Sequence, residues 1–153
     1  MRRMRRPDRQ MQEADALCLL NREKYGVLST VGADRQPYGV PLNFCVIGNG
    51  ICFHCAPEGH KIDHFTVVPK VSFCVVGRTE VLPPKFSTRY ESVIVSGGIT
   101  EVFEGEKRQA LEGLVHKYAP DHLEDGLIYV ATSQDKTRVF RISMDAVTGK
   151  ARD

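Results

Sequence analysis

Three apolar runs follow one another so closely that no helix fits between them. Residues 25–31 (YGVLSTV), 38–47 (YGVPLNFCVI) and 51–55 (ICFHC) are separated by a short stretch through Gly32, Ala33 and Asp34 and by the tripeptide Gly48-Asn49-Gly50. Asn and Gly accept the positive φ of a tight hairpin turn, so the second gap predicts an antiparallel pair. A doubly wound α/β sheet needs a helix after each strand, and these runs leave no room for one. Pro41 lies inside the second run and cannot donate to a ladder, so it marks an edge, a bulge or a break.

The rest of the chain keeps this character. Residues 71–76 and 91–99 read as strands, with Gly97-Gly98 a bulge or bend in the later one and Pro83-Pro84-Lys85 an irregular excursion between them. Residues 137–144 (TRVFRISM) read as the closing strand. Residues 13–23 place Ala16, Leu17 and Leu20 on one helical face, and residues 104–117 do the same with Ala110, Leu111, Leu114 and Val115. Residues 60–67 form a short helix that must end before Pro69. Residues 123–131 fit a helix or a strand equally well. About six strands with short connections and peripheral helices predict a closed or partly closed antiparallel barrel. At 153 residues the chain is expected to form one domain.

A net charge of +2 does not suit a dedicated nucleic-acid binder. The basic cluster Arg2, Arg3, Arg5, Arg6 and Arg9 reads as an exposed, flexible arm over residues 1–12. The residues after it are polar, which argues against a secretion signal, and no run approaches the ~20 apolar residues of a membrane span. Five cysteines, odd in number and mostly within apolar runs, suit a reducing compartment, so the cytoplasm is the expected location.

The densest chemistry lies in Phe53-His54-Cys55-Ala56-Pro57-Glu58-Gly59-His60-Lys61. A strand ends, a loop of small residues follows, and a helix begins near His60. Free N–H groups at a helix start form an anion site, to which Lys61 adds a full charge and Gly59 close backbone access. The competing reading is an ordinary capped helix start with a solvated lysine. Cys52 and Cys55 are three apart in a strand and therefore face opposite sides. His60 and His64 have a chelating spacing, but position 61 is Lys and no third ligand is evident, so no metal site is expected. Neither a nucleophile elbow nor a glycine-rich dinucleotide loop is present. A redox cofactor would explain a small enzyme without a catalytic constellation.

Taken in order, MRRMRRPDR, GVLSTVGADRQPYGVPLNF, ICFHCAPEGHKIDHF, PKVSF, YESVIVSGGITEV, EKRQALEGLVHKYAP and TRVFRISMDAVTGK run nearly end to end. Together they resemble the pyridoxamine 5′-phosphate oxidase-like FMN-binding split barrels, and within them the nitroimidazole-resistance related branch. The resemblance implies a mainly β, six-stranded split barrel with peripheral helices and a homodimer with two FMN sites at its interface. It implies that Val40, Pro41, Leu42, Asn43 and Phe44 run beside the isoalloxazine edge. Phe53, His54, Cys55, Ala56, Gly59, His60 and Lys61 would hold the ribityl chain and phosphate, with Tyr90, Ser92 and Arg141 completing the site, in part from the partner subunit. His54 occupies the F-H-x-A position, where an imidazole can donate a hydrogen bond to substrate or relay a proton. The implied activity is flavin-dependent reduction of nitroaromatic or other small acceptors by electrons from a reduced nicotinamide nucleotide or a protein. Pyridoxamine phosphate oxidation is less favoured, because no second basic cluster follows Lys61. A deazaflavin enzyme and a non-catalytic flavin- or haem-binding sensor are the alternatives.

Overall fold

The early hairpin forms as its turn residues require. Strands β3 (Cys45–Ile47) and β4 (Gly50–Cys55) pair antiparallel with Cys45 opposite Cys52, and Gly48 in the turn has φ 54°. The computed structural model describes residues 3–153, so Arg2 of the basic cluster lies outside the described residues. Around the hairpin stand β1 (Gly26–Val31), β2 (Pro37–Leu42), β5 (Lys70–Leu82), β6 (Ser87–Val102), β7 (Arg138–Ser143) and β8 (Ala146–Arg152). The helices are α1 (Glu13–Arg22), α2 (His60–Val67), α3 (Glu104–Tyr118) and α4 (Leu123–Ser133). The segment that fitted either helix or strand is therefore α4. Gly126 lets it approach α3 closely, because a Cβ there would lie 2.4 Å from the Val115 side chain.

Strand order is β2-β1-β5-β6-β7-β4-β3, with β8 paired to β6 beside this path. All of these pairs are antiparallel. The two ends of the order, β2 and β3, are joined through Asn43 and Phe44 and not by a ladder, which makes the sheet a split barrel. Pro41 sits on β2, the edge strand, where a missing N–H is tolerated.

Eight segments reduce to the six expected strands by one observation at each end. The run 38–47 breaks into β2 and β3 at Asn43. The closing run does not stop at Met144 but bends and continues as β8, which sequence patterning missed. Ile142 faces Ile99 and Ala146 faces Ser96, so four steps along β7–β8 match three along β6, which is a bulge. The backbones touch there: a Cβ on Gly97 would stand 1.7 Å from the Ser143 carbonyl oxygen. The Ser143 hydroxyl accepts from the Gly98 N–H at 3.1 Å and lies 3.2 Å from the Gly98 carbonyl, to which it donates.

β8 also changes the reading of the first residues. Pro7–Arg9 forms a 3-10 turn, Gln10 bridges Lys150, and the Met11 N–H donates to the Gly149 carbonyl at 3.0 Å. The segment expected to be a free arm through residue 12 is thus docked by its second half, since β8 supplies a strand edge that the sequence reading lacked. β5 and β6 are longer than expected and form a ribbon with a register shift between Val76 and Thr79. At its tip Phe86 has φ 45° and is 99% exposed. Among the described residues no helix is long and apolar enough to cross a membrane.

Two cores lie on either side of β4. Ile51, Phe53 and Cys55 point inward and join Leu28, Phe44, Phe73, Val93, Val95 and Ile142, closed by Leu19 and Leu20 of α1 and Phe65 of α2. Cys52 points outward with Cys45, Val102 and Val139, beneath Ala110, Leu111 and Leu114 of α3 and Val130 of α4. The two halves of the C-x-x-C pattern therefore occupy opposite faces, as strand alternation demands.

Tyr118, at the end of α3, ties the layers together. Its hydroxyl accepts from the Phe44 N–H at 2.9 Å and lies 2.6 Å from the Lys24 carbonyl and 3.0 Å from that of Phe44. Tyr118→Phe removes every one of these contacts and should destabilise the fold by about 1–3 kcal/mol, read as a lower urea midpoint with an unchanged slope. Gly97→Val drives a side chain into the Ser143 backbone and should cost about 3 kcal/mol or more in the same titration. Gly98→Ala should be far milder, since its Cβ would find its nearest neighbour at 3.7 Å.

Candidate functional site

Helix α2 begins without a side-chain cap. Gly59 precedes it with φ 150°, and its carbonyl accepts from the N–H groups of Ile62 and Asp63 at 2.8 and 3.2 Å. That leaves the N–H groups ahead of Ile62 without a helical acceptor, and no side chain caps the helix start to meet them. Nothing lies within 4 Å of the point where a Gly59 Cβ would sit, so the space in front of the helix is open. This removes the ordinary capped start as a reading of these residues.

The loop ahead of the helix is fixed from β7. Arg138, paired with Cys55 in the ladder, donates from Nη1 to the Pro57 carbonyl at 3.0 Å. Its other two nitrogens grip the Glu101 carboxylate at 2.9 and 2.7 Å. That bidentate contact holds the Glu101 carboxyl below its usual range. The Thr137 hydroxyl donates to the Cys55 carbonyl at 2.9 Å. Lys61 is half-buried and lies close enough to the Cys55 thiol to oppose the upward push that burial gives it. Because Glu101 already neutralises Arg138, Lys61 supplies the unspent positive charge of the cradle.

β2 meets this cradle through Tyr38. Its ring stands edge-on to His60 with centroids 4.8 Å apart, and His60 in turn lies 4.1 Å from His64. His64 is buried, with Nδ1 3.1 Å from the Thr30 hydroxyl. The expected strand and the expected loop are therefore adjacent, although the contact residue is Tyr38 and not one of residues 40–44. Val40 and Leu42 lean partly buried against the main core, while Pro41, Asn43 and Ala56 are exposed.

Several expected site residues have other work. Phe44 is fully buried under the Lys117 ammonium, which sits 3.7 Å from its ring centroid, and Tyr118 engages its N–H and carbonyl. Its ring and its N–H are committed to the core, so what Phe44 has left for a ligand is the second lone pair of its carbonyl. Phe53 is likewise core, stacked on Phe140 at 5.9 Å. Tyr90 and Ser92 lie in the half of β6 that pairs with β8, whereas Glu101 of the cradle lies in the half that pairs with β7. Arg141 faces a cavity with Ile47, Cys52, Val102, Glu106 and Gln109. Within one protomer none of these three reaches the cradle through a contact of its own. His54 points to the outer face of β4, and burial lowers its pKa.

Arg138, Thr137 and Tyr38 went unnoticed in the sequence. The available signal was parity: Arg138 and Arg141 are three apart in a strand, so only one of them can share a face with Cys55. As built, the cradle suits an oxyanion such as a phosphate, with open N–H groups, a lysine and a loop pinned by an arginine.

Residues 12–151 match the family profile described as pyridoxamine 5′-phosphate oxidase. No curated protein matches the sequence. A candidate 5-nitroimidazole antibiotic resistance protein from Bacteroides thetaiotaomicron superposes with a TM-score of 0.80 at 21% identity, covering 92% of this chain and 85% of that one. A conserved hypothetical protein from Mycobacterium tuberculosis gives 0.83 at 21% identity over 97% and 90% of the two chains. An FAD and haem binding protein from Mycobacterium smegmatis gives 0.80 at 17% identity over 95% and 74%. At these identities the superpositions speak for the split-barrel fold, and the profile match across almost the whole chain speaks for descent: this protein belongs to the pyridoxamine 5′-phosphate oxidase family.

Proposed function

We propose that this protein is a cytoplasmic, homodimeric FMN-binding reductase of small acceptors, nitroaromatic rings among them. The observation that carries the reading is the open, uncapped start of α2 with Gly59 in front of it and Lys61 beside it. That arrangement favours a dianionic phosphate over a neutral group. A bound flavin supplies two-electron transfer between a reduced nicotinamide nucleotide or protein donor and the acceptor. The chain supplies the hold. Lys61 and the first N–H groups of α2 take the phosphate, Arg138 keeps the loop in place, and the exposed Asn43 amide is available to the polar rim of the ring system. His54 is the residue suited to donate a hydrogen bond to the acceptor or to hold a proton near it.

A second copy has a face to bind. Along one register row Pro41, Val27, Cys74, Ile94 and Thr148 lie side by side across five strands, and along the next Gly39, Ser29, Ser72, Ser96 and Ala146. Neither row contains a charge, and Ile94 remains 42% exposed. A flat face of small and apolar side chains suits burial against its own copy. In such a dimer Tyr90, Ser92 and Arg141 are available as contributions from the partner subunit.

The FAD and haem binding protein from M. smegmatis shares the fold, which supports a second reading as a non-catalytic flavin or haem carrier. The purified protein should be yellow with flavin absorption, bleach under NADH or NADPH without oxygen, and recover colour on addition of a nitroimidazole. Failure to bleach would favour the carrier, and a Soret band would favour haem. Lys61→Ala should weaken FMN binding roughly ten- to a hundredfold while leaving the melting temperature nearly unchanged, as expected for loss of one charged contact at a phosphate. Unaltered affinity would remove the cradle assignment. Sedimentation should give a dimer, and a flavin-loaded monomer would contradict the shared site.

A further inference from the structure

The ribbon made by β5 and β6 outruns the rest of the sheet. β8 leaves β6 at Tyr90 and β1 leaves β5 at Cys74. Among the described residues, the rungs that pair Val81 with Thr88 and Leu82 with Ser87 therefore have no further strand on either side. A two-stranded ribbon standing alone is marginal in water. Its tip is Pro83-Pro84-Lys85-Phe86, a 3-10 turn that ends with Phe86 at φ 45°. That backbone region is costly for a bulky side chain. The ring makes almost no contact with its own chain, being 99% exposed, and Val81 nearby is 67% exposed. Toward its other end the same sheet carries an open hollow of about 440 Å3 over Ser29, Ser72, Ser96 and Ala146. These four are the small side chains of the second uncharged row, directly opposed across β1, β5, β6 and β8. A space of ~150 Å3 is already enough for a benzene ring. Lys70 and Asp145 stand exposed at the rim. Among the described residues, neither Asp145 nor the exposed Lys85 of the tip is in an ion pair.

We propose that Phe86 of one copy seats in this hollow on a second copy, with Lys85 meeting the Asp145 carboxylate at the rim. Such a seat presupposes the homodimer proposed above and supplies its fastening. Ser96 lies ten residues beyond Phe86, ~33 Å along extended chain, so a tip cannot fold back into the hollow of its own sheet. Two copies laid face to face with their β6 strands antiparallel bring each tip over the hollow of the other. Both seats then fill together, and the assembly closes at two. The occupant is this chain because the hollow lies in the row already suited to burial against its own copy. The tip also carries the charge that the rim carboxylate lacks a partner for.

The test uses the full chain in sedimentation velocity over a range of concentrations. Phe86→Gly relieves the backbone and should leave the circular dichroism of the folded sheet intact, while the dimer dissociation constant rises roughly tenfold or more. Asp145→Lys should weaken the dimer about three- to tenfold, and Lys85→Glu added to it should recover most of that loss. A benzophenone carried at position 86 should give, on irradiation, a covalent dimer whose cross-linked peptide holds residues 70–72, 96 or 145–146. If Phe86→Gly does not fold, the cross-link decides alone. An unchanged dimer constant in Phe86→Gly, no recovery in the double variant, or a cross-link that joins the two tips or stays within one chain would each overturn the seat and leave the dimer standing. An unaltered protein that sediments as a monomer throughout would overturn both. Phe86-dependent capture by phosphatidylserine vesicles in place of self-association would give the tip to a membrane and overturn the seat.

Discussion

The barrel turns on a single point where two backbones touch. β6 gives Ser87 to Gly98 on one side to β5, and on the other side it must serve β8 first and β7 afterwards. The exchange happens where Gly97 meets Ser143, with no space between them for a side chain. One extra residue on the β7–β8 side absorbs the change in direction, and the Ser143 hydroxyl satisfies both polar groups of Gly98. Everything on the cradle side follows. β7 is placed by this junction, Arg138 is the first residue of β7, and Arg138 holds both Glu101 on β6 and Pro57 in the loop. The open helix start is therefore positioned by a contact between Gly97 and Ser143, neither of which is near it in sequence.

β4 is the partition of the molecule. Its inward residues belong to the barrel core and its outward residues to the core beneath α3 and α4. The cradle at Cys55 and the imidazole of His54 consequently lie on different sides of the same strand, separated by the parity of neighbouring residues. Tyr118 connects the two layers across the gap between β2 and β3, where no ladder does so. A phenol hydroxyl with one hydrogen and two lone pairs can bridge an N–H and a carbonyl, so it mends a place where the barrel is split.

What the sequence disclosed is what local chemistry decides. The Gly48-Asn49-Gly50 turn, the edge position of Pro41, the bend at Gly97-Gly98 and the opposite faces of Cys52 and Cys55 all follow from properties of the residues themselves. What stayed hidden was decided by partners. β8, with the sequence AVTGKAR, has little apolar alternation of its own and becomes a strand because β6 offers it an edge. Phe44 became a core residue through a hydroxyl 74 positions later. Arg138 and Arg141 are alike in kind and in setting, and only the register of β7 on β4 determines which one reaches the loop. The cradle was legible as a motif, but its supporting arginine was not.

The burial of the cysteines sets a chemical tempo for the whole molecule. Burial pushes the Cys45 thiol up to about 12 and raises those of Cys52, Cys55 and Cys74 as well. At neutral pH the Cys45 sulfur is therefore held as the thiol and not as the thiolate, the form that attacks a disulfide or a peroxide. Cys45 and Cys52 are directly opposed in the hairpin and yet are poorly armed to react with each other. Of the five, only Cys18 on α1 is exposed. The barrel thus holds its interior sulfur mainly as the less reactive thiol, while Cys18 and the part-buried Cys74 keep a share of the surface.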